Sequence, residues 1–141
     1  MVATFDDPRF DALTHALRLL PSVEPSQAAS YAKVERRKID ERGRVIERDD
    51  AGVADMHQLR RAVRRFRYVR EALDLEAKPV KELQEELGHL NDAAVALAHL
   101  DRCPHAAELA DFRAVLGDEV RHSFETAQAA WRDTDLDALE D

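Results

Sequence analysis

Apolar residues recur at spacings of three and four over most of the chain, the period of a helix that buries one face. Phe10, Leu13, Ala16, Leu17 and Leu20 predict a first helix, opened by Asp7 and Pro8 and closed by Pro21. A second is predicted from Ser26 through Tyr31, Val34, Lys38 and Ile39 until Gly43 interrupts it, with residues 43–52 read as a strand-like turn or a frayed end. A third over roughly 53–76 carries Met56, Leu59, Ala62, Val63, Phe66, Val69 and Leu73 on one arc. Pro79 begins a fourth, about 79–100, that buries Val80, Leu83, Leu87, Leu90, Ala94, Leu97 and Ala98. Gly88 in its middle costs about 1 kcal/mol against alanine, which predicts a closely approaching neighbour helix. Pro104 begins the last, with Leu109, Phe112, Leu116, Val120, Phe124, Ala127 and Trp131 on its stripe and Gly117 as a candidate kink. The short junction at residues 77–79 makes its two flanking helices antiparallel neighbours. The reading is an all-α antiparallel bundle of about four to five helices, one domain over residues 1–132, followed by an acidic, disordered tail at 133–141.

Composition narrows this further. The 141 residues are 45% hydrophobic and 35% charged, with nine Gly and Pro together, a mixture that favours helices over sheet. Cys103 is the lone cysteine, so an intramolecular disulfide and cysteine-rich metal clusters are excluded. A thiol beside Pro104 at a helix start can be activated, but no catalytic partner accompanies it. The opening residues lack a signal-peptide pattern and no apolar run reaches membrane-span length, so the expectation is a cytoplasmic protein without a membrane partner.

The net charge of -8 is unevenly distributed. Residues 1–55 carry nine Lys and Arg against eleven acids, residues 56–81 carry eight against three, and residues 82–141 carry four against fifteen. The positive charge is therefore focused on the third predicted helix, in Met56 to Glu71, which holds six arginines and no acid before Glu71. Projected at 100° per residue, His57, Arg60, Arg61, Arg64 and Tyr68 share one arc, with Arg65 and Arg67 on its shoulders, opposite the apolar stripe. Like charges one turn apart repel, and helix surfaces normally relieve this with interleaved acids. Either acids of the next helix, such as Glu82, Glu85 and Glu86, pair with the ridge, or the ridge receives an external anion. Guanidinium groups suit the second role because their planar forks donate paired hydrogen bonds to oxyanions and stay charged. A row of them at a pitch of about 5 Å suits a repeating phosphate polymer, and protonated His57 could add a donor.

Other chemistry finds little support. Glycine-rich phosphate loops, HExxH and nucleophile elbows are absent. The six histidines, at positions 15, 57, 89, 99, 105 and 122, are scattered; His89 with Asp92 is the nearest approach to a metal-ligand spacing and is weak. The alternating charges of Glu35, Arg36, Arg37, Lys38, Asp40, Glu41 and Arg42 read as a solvated helix face.

The combination of His57-x-x-Arg60, Arg64-Arg65, Arg67-Tyr68 and Glu71 with Leu83-Gln84, Leu87-Gly88 and Leu90-Asn91-Asp92-Ala93 resembles the CHAD domain, the conserved histidine α-helical domain, over residues 53–100. The resemblance implies a helical bundle that binds inorganic polyphosphate through basic side chains lining a central channel or surface groove, without cleaving it; from the motif search, no metal or cofactor is expected. It assigns phosphate contacts to His57, Arg60, Arg64, Arg65 and Arg67, a hydroxyl donor to Tyr68 and a contribution from Lys81 on the facing helix; Arg61, on the same arc, joins the candidate site. Asn91 and Asp92 would be structural, fixing helix ends or orienting basic groups, and Glu71 would buttress an arginine. Members commonly carry two such halves, whereas this chain has room for one, similar to the later half, and Arg61 and Arg70 stand where apolar residues are usual. A homodimer that rebuilds the two-halved channel is therefore expected, with association to polyphosphate granules. The competing readings are binding of another polyanion such as RNA, made less favourable by the few aromatics near the ridge, a phosphatase or triphosphate hydrolase, for which the ridge shows no clustered carboxylate metal site, and a purely structural helical adaptor.

Overall fold

The structure is a computed structural model and describes residues 24–139; the first predicted helix and His15 lie outside them. Four long helices follow: α1 (Pro25–Ile46), α2 (Val53–Ala72), α3 (Lys78–Asp101) and α4 (Ala110–Asp133), with short 3₁₀ turns at Ala106–Leu109 and Asp137–Leu139. No strand occurs among the described residues, so the fold is all-α, and α1 packs on α2, α2 on α3 and α3 on α4. Their stripes meet in one core built from Ile39, Ile46, Met56, Leu59, Val63, Phe66, Val80, Leu83, Leu87, Leu90 and Ala127.

Several boundaries differ from the sequence pattern, each for a physical reason. Gly43 does not interrupt α1, which continues to Ile46. A glycine is required there because the Trp131 ring of α4 lies against the backbone: a Cβ would sit 1.8 Å from its nearest ring carbon. Trp131 Nε1 donates to Glu47 Oε1 at 3.2 Å and Gln128 Nε2 to the Ile46 carbonyl at 2.6 Å, closing α4 over the end of α1. Residues 47–52 then form a turn, and Asp55 accepts from the Gly52 N–H at 3.0 Å to cap the start of α2.

The basic helix stops at Ala72, not near residue 76, in a Schellman turn. Asp74 takes the left-handed conformation (φ 57°), and the Leu75 and Asp74 amides donate back to the Arg70 and Glu71 carbonyls. Glu76 accepts from the Ala77 and Lys78 amides at 2.9 and 2.7 Å, which ties down the junction just before Pro79. Gly88 lacks the expected close neighbour: nothing among the described residues lies within 4 Å of where its Cβ would be. At Pro104 a turn and a 3₁₀ segment precede α4, which begins only at Ala110; Leu109 and Phe112 are exposed despite their spacing, as is Ala98 of α3. Residues 134–138 fold back instead of fraying, with Leu136 in the core and Asp137 paired to Arg36 at 2.5 Å. Glu35, assigned to a solvated face, is fully buried and holds Lys38 Nζ at 2.6 Å.

Candidate functional site

The ridge exists because the apolar stripe of α2 faces the core and leaves most of its arginines on the other side. Met56, Leu59, Ala62, Val63 and Phe66 are buried, which turns His57, Arg61, Arg64, Arg65 and Tyr68 to solvent. Arg60 and Arg67 lie half-buried at the edge of the ridge, while Arg70 is buried with only 4% of its surface exposed. Arg70 donates through Nε to the Glu76 carbonyl at 2.5 Å, so it braces the Schellman turn and stands apart from the ridge.

The antiparallel α3 supplies the neighbouring wall. His57 Nδ1 lies 3.2 Å from Asn91 Oδ1, fixing the register. For straight antiparallel helices, stepping one turn at a time from that pair would set Arg60 level with Gly88, Arg64 with Gln84 and Arg67 with Lys81. Asn91 in turn donates to Asp92 at 3.4 Å. The His57–Asn91 contact thus joins the two signatures at the seam where α2 packs on α3, and Lys81 is exposed nearer the start of α3. Gln84 was not a sequence candidate for the site, although it stands in the second signature. Its Oε1 is buried without a hydrogen-bond partner, as is Arg60 Nε, and both lie along this seam.

The electrostatics separate the two explanations of the ridge. Glu82 lies 3.9 Å from Lys78, and Glu86 lies 4.0 Å from His89, both within α3. The only ridge arginine with an acid among the described residues is Arg67, which meets Glu71 of its own helix at 3.2 Å and lies 5.0 Å over the Tyr68 ring. No acid among the described residues pairs with Arg60, Arg61, Arg64 or Arg65. Among the described residues, no three His, Cys, Asp or Glu side chains are placed to share a metal ion, and no helix is long and apolar enough to cross a membrane.

An all-α bundle with a basic helix set against a Gln-Gly-Asn-bearing neighbour is the class the fold and seam define. The family model of the CHAD domain matches residues 1–101, and the chain belongs to that family. The match begins well before the signature at 53–100, taking in α1, and ends with α3, so α4 lies beyond it. The family is associated with polyphosphate binding and is not known as a catalytic one. No curated protein and no solved structure matches the chain.

Proposed function

We propose that this chain binds inorganic polyphosphate along the α2–α3 seam, without cleaving it. Four ridge arginines without an acid partner among the described residues carry this reading. Holding like charges together repels, and a polyanion offsets that cost while releasing its counterions. His57, Arg60, Arg64 and Arg67 line the seam side by side with Lys81, while Arg61, Arg65 and Tyr68 extend the donor surface outward. Asn91 orients the imidazole, and Glu71 steadies Arg67. RNA is disfavoured because Tyr68 is the one exposed aromatic on α2 and offers little stacking surface.

A titration of the protein with polyphosphate, with single-stranded RNA as competitor and phosphate release followed in magnesium, tests this. Polyphosphate should bind, RNA should displace it weakly and no phosphate should appear. Tighter RNA binding or steady phosphate release contradicts the proposal. We further propose that a second copy covers the open ridge, completing a channel across a twofold axis. Light scattering should show a dimer, at least with polyphosphate; a strict monomer in both conditions refutes this part alone.

A further inference from the structure

A second basic feature lies between α1 and the end of α2, involving none of the ridge residues. A cleft of about 560 Å³ opens there, with Ala32, Leu73 and Leu75 in its apolar lining over the buried Phe66. Lys33, Arg36, Arg37 and Arg70 line it as well, against one acid among the described residues, Asp40. Two of these cations are held in place by other groups: Arg36 by Asp137 at 2.5 Å, and Arg70 by the Glu76 carbonyl, with its guanidinium 5.7 Å from the Phe66 ring centroid. Lys33 and Arg37, one turn apart on α1 and both exposed, have no acid partner among the described residues.

We infer that this cleft is a binding site for an amphipathic anion, a small molecule with an aromatic or acyl body and one carboxylate, sulfonate or phosphate head. Pockets for small ligands combine a mostly apolar lining with a few polar groups that fix orientation. Here the apolar floor takes the body, and Lys33 and Arg37 at the rim take the head. A bare polyphosphate is a poor occupant, because Leu73 and Leu75 give it nothing and cost it hydration. Asp40 adds a penalty for a second negative charge. The site therefore differs from the ridge in ligand class as well as in place.

The test uses the full chain and the fluorescent probe 8-anilinonaphthalene-1-sulfonate, with dodecanoate as competitor. Dodecanoate should displace the probe and polyphosphate should not. Lys33→Glu combined with Arg37→Glu, both at exposed positions, should weaken the probe by about tenfold or more through loss of head-group attraction. It should leave the helical circular dichroism unchanged. Arg60→Ala with Arg64→Ala should leave probe binding unaltered. Probe binding that ignores the Lys33 and Arg37 reversals, or that polyphosphate displaces as well as dodecanoate does, overturns the inference, as does absence of binding.

Discussion

Replacing Gly43 by alanine is the sharpest test of the packing. In an open helix this change stabilises by about 1 kcal/mol. Here the new methyl would lie 1.8 Å from the nearest carbon of the Trp131 ring, and it must reach at least 3.4 Å for ordinary contact. Ring and helix must therefore separate, straining the Trp131 to Glu47 and Gln128 to Ile46 hydrogen bonds that close α4 over α1. Overpacking of this kind costs about 1–3 kcal/mol, and weakening the neighbouring hydrogen bonds adds about 1 kcal/mol. Set against the propensity gain, Gly43→Ala should destabilise by about 1–3 kcal/mol, roughly 3–10 °C in Tm. Denaturation followed by circular dichroism measures this, and Trp131, the single tryptophan, reports any repacking by fluorescence. In a Trp131→Ala background the obstacle is gone, and the same substitution should become stabilising by up to about 1 kcal/mol. Stabilisation in the native background, or the same effect in both, refutes the reasoning.

Gly88 should behave oppositely: with open space around its Cβ position, Gly88→Ala should stabilise by about 0.5–1 kcal/mol in urea denaturation, and a loss of stability would reveal a neighbour at that position. Leu136→Ala should cost about 2–4 kcal/mol because the side chain is buried in the core; a neutral result in thermal melts would show that the tail contributes nothing. Asn91→Ala should leave stability nearly unchanged and weaken polyphosphate binding about two- to fivefold, the effect of losing one orienting hydrogen bond. Equal affinity in calorimetry would remove Asn91 from the site.

The helical architecture and the basic ridge were legible because both are local patterns. Period and charge on α2 place Leu59 and Phe66 inward and Arg61 and Arg64 outward from neighbouring residues alone. The misreadings came from contacts distant in sequence. Gly43 looks like a helix breaker until Trp131, 88 positions later, is brought against it. Leu136 looks like part of an acidic tail until the fold gives its side chain a cavity to fill. Glu35 and Arg70 carry charges that suggest solvent, yet their places on the helices turn them inward, where Lys38 and the Glu76 carbonyl receive them. Conversely, Leu109 and Phe112 continue an apolar stripe beyond the reach of the described core. The register of the seam was partly written in the second signature, but that Gln84 would stand level with Arg64 emerges only once His57 and Asn91 meet. The cleft beside Lys33 and Arg37 was hidden for a similar reason, since charges at helical spacing look the same on a solvated face and on a pocket rim.

Polyphosphate binding at the α2–α3 seam is tested most directly by calorimetric titration of long-chain polyphosphate into the native protein and into Arg60→Ala/Arg64→Ala, repeated at two salt concentrations. Charge-assisted hydrogen bonds contribute about 1.5–3 kcal/mol each, discounted here for solvent screening, so the double substitution should weaken binding by about 30-fold or more. Native affinity should also fall steeply with salt, while both proteins keep the same helicity. Equal binding by the two proteins, or binding indifferent to salt, would contradict the assignment of polyphosphate to the α2–α3 seam.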